Sequence, residues 1–168
     1  VRGRIRFRLW CCRSCGQEYY NVCRAWEGHL ESREVSDRST ENEEQAGYVM
    51  RGDWDSDEVQ FPMQWLDDSG MLRDNWEEAR PKPVMYCPKH NRLTDGHRRQ
   101  GKLDCGCFSS QGVEATWVKA PFLFCAACGV HHSRRGRSME LSKMFQFGSA
   151  GRPTAMDVLA GGPLHNLP

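Results

Sequence analysis

Nine cysteines carry most of the chemistry that this 168-residue sequence offers, and several stand in close pairs. Residues 12–16 read Cys-Arg-Ser-Cys-Gly, and residues 125–129 repeat the pattern as Cys-Ala-Ala-Cys-Gly. A Cys-x-x-Cys turn presents two thiolates to one tetrahedral ion, and the glycine after it tolerates the positive φ of a tight turn. We therefore expect each segment to be a metal knuckle and the two knuckles to share one ion.

A second set of ligand types lies between these knuckles in the sequence. Cys87 and His90 are separated by two residues, and Cys105 and Cys107 by one. Thiolates with an imidazole in a closed tetrahedron are typical of structural zinc. The nested interpretation predicts one site at Cys12, Cys15, Cys125 and Cys128 and another at Cys87, His90, Cys105 and Cys107. A sequential pairing stays open, in which Cys12 and Cys15 join Cys87 and His90, and Cys105 and Cys107 join Cys125 and Cys128.

The cysteine pattern favours zinc over disulfides and a structural role over catalysis. The cysteine count is odd, the pairs are close, and no secretion signal is present, whereas secreted disulfide frameworks use an even count of spread cysteines. Catalytic zinc keeps one position open for water, but here the ligands suffice to close two sites. His-Glu-x-x-His and the zinc deaminase motifs do not occur. We expect two structural zinc ions and no catalytic residue, with Cys11 and Cys23 left over.

The charge distribution is uneven although the whole chain carries only +1. Residues 1–30 and 81–168 are net basic, and residues 31–80 are strongly acidic, with 15 Asp or Glu against 5 Lys or Arg. Alternation in the first ten residues places four arginines on one side of an extended strand. Another basic cluster follows the second knuckle, and arginine suits bidentate contact with phosphate. The predicted nucleic-acid contacts are Arg2, Arg4, Arg6, Arg8, Arg134, Arg135, Arg137 and Arg152.

These patterns predict a small α+β, zinc-ribbon-like fold of short antiparallel strands with cysteine knuckles. Residues 1–30 hold the first strand and knuckle, and residues 82–136 hold the second zinc site and the second ribbon knuckle. Between them, residues 31–81 are expected to be an irregular, acidic, tryptophan-bearing insertion. Within this region, residues 31–45 are expected to be a loop or mobile segment, and residues 58–83 to pack onto the metal core as short irregular elements. Residues 137–168 are expected to form a helical linker with two short helices. The first covers residues 137–147 with Ser138 as N-cap, and the second has Pro153 in its first turn.

Three segments resemble the cysteine-rich insertion of large bacterial DEAD/DEAH-box superfamily 2 helicases. They read "FRLWCCRSCGQEYYN", "YCPKH" and "FLFCAACGVHHSRRGRSMELSKMFQFGSAGRPTAMDVL". The tail of that family is matched by Lys143, Gly148, Ser149, Gly151, Arg152, Thr154 and Ala155, while Met144 stands where Leu is usual. The acidic middle hardly shares the resemblance.

The resemblance implies a fragment between two RecA-like motor domains, contributing scaffold and contact with DNA or RNA. The ATP-binding lysine, the Asp-Glu box and the arginine motifs of the family have no counterpart here, so ATP and Mg²⁺ would belong to the parent helicase. That the chain starts at Val1 rather than Met agrees with this expectation. The alternative is a free-standing zinc module for protein–protein interaction. With no 18-residue apolar run and no signal segment, we expect a cytoplasmic protein without a membrane partner.

Overall fold

The computed structural model describes residues 7–25, 28–32, 46–96, 101–133 and 143–146. Their main element is an antiparallel sheet of eight strands. The strands are β1 Arg8–Cys12, β2 Glu18–Arg24, β3 Leu30–Ser32, β4 Ala46–Arg51, β5 Lys82–Cys87, β6 Arg92–Asp95, β7 Val113–Lys119 and β8 Met144–Gln146. The prediction of short antiparallel strands with cysteine knuckles is confirmed.

The sheet curls so that strand β3 at one side contacts the edge strand β6 at the other. Its order is β6-β5-β7-β4-β2-β1-β8, and β3 pairs with the end of β2 beyond β1. His29, just before β3, forms a bridge with Arg92 of β6, so six strands enclose a barrel. Strand side chains alternate between faces, and the inward ones fill the barrel with apolar groups. That interior holds Phe7, Tyr20, Val22, Leu30, Val49, Val84, Tyr86, Leu93, Ala115 and Trp117.

Asn91 stabilises the contact between the start of β3 and the start of β6 that closes the barrel, which we call the seam. It has a φ of 51°, in the left-handed region where asparagine is enriched. Its Nδ2 donates to the carbonyl of Leu30 at 2.9 Å, and its own carbonyl accepts the Leu30 N–H at 3.0 Å. The hydroxyl of buried Tyr86 donates to Asn91 Oδ1 at 2.8 Å. The turn that carries His90 is therefore tied directly to the strand on the other side of the seam.

Replacing Asn91 with alanine is expected to lower the free energy of unfolding by about 2–4 kcal/mol. The change removes two side-chain hydrogen bonds of about 1 kcal/mol each and leaves the Tyr86 hydroxyl unpaired. Alanine also tolerates the left-handed region less well than asparagine, which adds up to about 1 kcal/mol. Urea unfolding with excess zinc measures the effect. Asn91→Gly is the control, since it loses the hydrogen bonds without the backbone cost and should be about 1 kcal/mol milder. Losses below 0.5 kcal/mol for both variants, roughly the noise of a surface substitution, would contradict this role of Asn91.

The acidic region of residues 31–80 contains a central strand of the barrel. The sequence predicted an irregular insertion there, and that prediction is wrong for Ala46–Arg51. Strand β4 lies between β2 and β7, and Ala46 to Met50 are buried. Packing requires glycine at position 47, because a Cβ there would come within 2.6 Å of the Trp117 ring. Composition averaged over residues 31–80 hid this short apolar run. Residues 33–45, the most charged stretch, lie outside the described residues.

Residues 54–80 agree with the expectation of short elements packed on the metal core. They include 3₁₀ helices at Met63–Trp65 and Asp74–Ala79. Trp65 stacks on Trp76 with ring centroids 4.1 Å apart, and its neighbours include Phe124 of the second knuckle. Met63 and Met71, however, are exposed rather than packed.

The first predicted C-terminal helix is wrong for Met144–Gln146, whereas Lys143 just before them is helical. Met144–Gln146 form strand β8 on the edge of β1, with Met144 opposite Cys12 and Gln146 opposite Trp10. The edge of β1 offers unpaired backbone groups, and pairing with them buries Met144 almost completely. The second predicted helix lies outside the described residues.

Candidate metal centres

The two Cys-x-x-Cys segments fold into the same turn. In the first, the N–H of Gly16 donates to the carbonyl of Cys12 at 2.8 Å, and the N–H of Cys12 donates to the carbonyl of Gln17 at 2.9 Å. In the second, the equivalent bonds link residues 125, 129 and 130 at 2.8 and 2.9 Å. The glycines have φ values of 80° and 78°. The left-handed glycine predicted from sequence is therefore present in both knuckles.

The two knuckles face each other and bring four sulfurs together. The Sγ atoms of Cys12 and Cys128 are 3.9 Å apart, and those of Cys15 and Cys125 are 3.7 Å apart. A tetrahedral ion with metal–sulfur bonds of about 2.3 Å requires sulfur–sulfur edges of about 3.8 Å. A disulfide would require about 2.05 Å. The spacing thus fits a tetrahedral metal site, which we call site 1.

Site 1 is half buried in the packed layer outside the barrel. Cys12 and Cys125 are fully buried and belong to an apolar cluster with Trp10, Tyr48 and Phe122. The other two cysteines, one per knuckle, are exposed. Strand β1 delivers the first knuckle to this layer, and the chain that follows β7 delivers the second. Two of the four candidate ligands, Cys12 and Cys125, are thus part of the apolar core.

Four adjacent thiols need a cation before all of them can ionise. The hydrogen bond from Cys125 lowers the pKa of Cys12 to about 5, and the same contact raises the pKa of Cys125. Burial raises the pKa of Cys15 to about 11. The Cys12 thiolate therefore forms easily, while Cys15 and Cys125 hold their protons. A divalent cation would remove this conflict, since it compensates the repulsion between thiolates.

Site 2 combines three sulfurs and one imidazole. Nδ1 of His90 lies 3.6 Å from Cys87 Sγ and 3.3 Å from Cys107 Sγ. A tetrahedron with metal–sulfur bonds of about 2.3 Å and a metal–nitrogen bond of about 2.05 Å has mixed edges of about 3.6 Å. Cys105 completes the group, whose ligand atoms all lie within 4.8 Å of one another. The set is more exposed than site 1, because only Cys87 is buried.

A short loop positions the Cys-Gly-Cys half of site 2. Gly106 has a φ of 89°, and its N–H donates to the carbonyl of Leu103 at 2.9 Å. The side chain of Leu103 packs against Met85 and Cys87. The N–H of Asp104 donates to the Thr94 hydroxyl at 2.9 Å, which fastens the loop to β6. The loop thus meets the β5–β6 turn through both apolar and polar contacts.

The structure brings the eight predicted ligands together in the nested arrangement. The two groups are Cys12, Cys15, Cys125 and Cys128, and Cys87, His90, Cys105 and Cys107. The sequential pairing is not the one observed. Cys11 and Cys23, the two cysteines left over in the nested interpretation, belong to neither group. Sequence reasoning missed Tyr19, whose hydroxyl lies 3.2 Å from Cys125 Sγ. The spacing pattern held no signal for it, since the contact joins residues 106 positions apart.

Of the predicted nucleic-acid contacts, only Arg8 lies within the described residues. It is exposed on β1, opposite Asn21 of β2, and so occupies the outward side that the alternation predicted. The remaining seven, namely Arg2, Arg4, Arg6, Arg134, Arg135, Arg137 and Arg152, lie outside the described residues. Their part in binding stays a prediction.

Comparison with known protein families, with curated proteins and with solved structures finds no match to this chain. Within the part of the chain that the structure describes, no helix has the length and apolar character needed to span a membrane. The two candidate metal groups are therefore the features of the chain that bear on its function.

Proposed function

We propose that the chain is a structural zinc-binding module that holds one ion at site 1 and one at site 2. The observation that carries the proposal is the tetrahedral spacing of four protein ligands in each group. Structural zinc sites are closed by four protein ligands, whereas catalytic sites keep one position for water. Four thiolates in a tetrahedron also suit iron, but an imidazole joined to three thiolates is a common zinc set.

Elemental analysis of the purified chain tests this proposal. We expect two equivalents of zinc per chain after expression without added metal, and negligible iron. A thiol titration under denaturing conditions should then find all nine cysteines reduced. Substoichiometric metal together with lost thiols would indicate disulfides and would contradict the proposal.

We further propose that the module serves as scaffold and nucleic-acid contact within an ATP-dependent DNA or RNA helicase of the cytoplasm. Support comes from the sequence resemblance to the insertion between two RecA-like domains. The described part of the matching tail begins at Lys143, whose carbonyl accepts the N–H of Arg13 in the first knuckle at 3.1 Å. In such a protein the metal core would orient the tail that leads to the next motor.

The alternative is a free-standing module that binds protein partners. The exposure of Met63 and Met71, at 86% and 62%, favours it, because flexible methionine side chains are over-represented at adaptable protein-binding surfaces. Sequencing the coding DNA on both sides distinguishes the two. A phosphate-loop lysine and an Asp-Glu box upstream, with a second motor downstream, would support the helicase. A start codon before Val1 and a stop codon after Pro168 would support the free-standing module.

The basic segment after the second knuckle gives a direct test of nucleic-acid contact. Replacing Arg134, Arg135 and Arg137 with alanine is expected to reduce the slope of log affinity against log salt by about 0.9 per lost phosphate contact on duplex DNA. Fluorescence anisotropy at several salt concentrations measures the slope. The matched control removes three exposed charges elsewhere, at Arg73, Lys82 and Lys102. Equal slopes for the wild type and the first variant would exclude contact by this segment.

A further inference from the structure

Tyr19 connects the two halves of site 1 through its hydroxyl. It belongs to β2, the strand that leaves the first knuckle, yet its Oη lies 3.2 Å from Sγ of Cys125 in the second knuckle. The side chain is fully buried. Edge-to-face contacts hold its ring, with centroids 6.4 Å from Tyr48 and 5.2 Å from Phe122. A rigid phenol is therefore aimed at one metal ligand.

The direction of this hydrogen bond follows from a second contact. The N–H of Ala126 donates to Tyr19 Oη at 3.0 Å, so the oxygen already accepts a hydrogen bond on that side. A metal-bound Cys125 is a thiolate and has no proton to give. The phenolic proton must then point at the sulfur, and Tyr19 is the donor.

Such a donor offsets the main energetic cost of site 1, which is the burial of net negative charge. Four thiolates and one divalent ion leave a net charge of about −2, and a buried charge is costly unless hydrogen bonds satisfy it. The exposed sulfurs of Cys15 and Cys128 receive backbone N–H groups from Gln17 and Val130 at 3.4 and 3.5 Å. Cys125 is buried and has less access to water. The Tyr19 hydroxyl supplies a charge-assisted hydrogen bond where solvent is excluded.

We propose that Tyr19 is an outer-sphere positioning residue of site 1, which donates a hydrogen bond to the Cys125 thiolate and thereby tightens metal binding at this site. The inference rests on the proposed function, because it requires that the four cysteines bind a metal. It predicts that the two sites respond differently to one change. Removing the Tyr19 hydroxyl should lower the metal affinity of site 1 and leave that of site 2 unchanged.

Tyr19→Phe tests the inference, and Tyr20→Phe is the matched control. The Tyr20→Phe variant also loses one hydroxyl oxygen, from the residue that follows Tyr19 in β2. The Tyr20 side chain, however, faces the barrel interior and not site 1. In competition with a chromophoric chelator, Tyr19→Phe is expected to lower the zinc affinity of one of the two sites by about 10–100-fold, as loss of an outer-shell partner typically does. The Tyr20→Phe variant should bind both ions like the wild type. In the cobalt-substituted protein, the sulfur-to-metal charge-transfer band should move to lower energy only in Tyr19→Phe.

The outcomes separate this inference from the proposed function. A wild-type chain that binds no metal would overturn the proposed function and the inference with it. A wild type with two ions, and a Tyr19→Phe variant with unchanged affinity and spectrum, would overturn the inference alone. Equal losses in both variants would show a general packing effect and would also overturn it. Should Tyr19→Phe fail to fold, NMR of the wild type loaded with the magnetic cadmium isotope decides. Scalar coupling between cadmium and the Tyr19 hydroxyl proton supports the inference, and an assigned proton without coupling refutes it.

Discussion

Removing the metal from both sites is expected to unfold the chain. The fully buried Cys12 and Cys125 lie inside the apolar cluster outside the barrel, and site 2 lies next to the Asn91 seam. Structural zinc contributes about 10–16 kcal/mol of apparent binding free energy in small zinc modules. Whole domains are stable by only about 5–15 kcal/mol. We do not expect the apolar core of a chain that is only 39% hydrophobic to replace that contribution.

Near-ultraviolet circular dichroism measures this effect, because six tryptophans report on tertiary packing. A strong zinc chelator in the presence of a reductant should abolish the signal. Re-addition of zinc should restore it, and magnesium, which prefers oxygen ligands, should not. A chelated chain that kept its near-ultraviolet spectrum would show that the metal does not hold the fold.

The adjacent residues Cys11 and Cys12 are expected to respond very differently to alanine. Both are fully buried, but only Cys12 lies in site 1. Burial raises the pKa of Cys11 to about 11, so it stays a protonated, apolar side chain. Cys11→Ala should keep two ions and lose about 1 kcal/mol of stability, as expected for a small cavity. Cys12→Ala should lose one ion and on the order of 5 kcal/mol, since loss of a metal is among the largest effects of a point mutation.

The ion that remains in Cys12→Ala also reveals the pairing of the ligands. In the nested arrangement the surviving site has three sulfurs and His90, whereas the sequential pairing would leave four sulfurs. Cobalt substitution distinguishes the two, because the intensity of thiolate charge transfer grows with the number of sulfur ligands. We expect the spectrum of a three-sulfur site. A four-sulfur spectrum, or loss of an ion from Cys11→Ala, would contradict the arrangement described here.

The knuckles could be predicted from sequence because their geometry is local. A Cys-x-x-Cys-Gly segment contains both ligands and the glycine that its turn needs, and both segments fold as expected. The partner of each knuckle could not be fixed in this way, since pairing depends on contacts more than a hundred residues apart. The pairing is decided by the chain that follows β7, which packs on the outside of the barrel and brings Cys125 against Tyr19 and Cys12.

The errors have physical causes of the same kind. The run of residues 46–50 is short and follows a highly charged stretch, so average composition assigned it to an insertion, whereas pairing with β2 and β7 makes it central. Residues 144–146 have a helical pattern, but the open edge of β1 recruits them as β8. Asn91 left one usable signal, because asparagine after a turn often adopts positive φ. Its role in closing the barrel depends on Leu30, 61 residues away.

X-ray absorption at the zinc edge tests the central claim most directly. Sites 1 and 2 together contain seven cysteines and one histidine, so we expect an average first shell of sulfur with a minor nitrogen contribution. The zinc–sulfur distance should be about 2.3 Å, as in closed tetrahedral sites. A first shell dominated by oxygen or nitrogen, or the absence of zinc from the reduced and folded chain, would contradict the claim that two closed zinc sites hold this fold together.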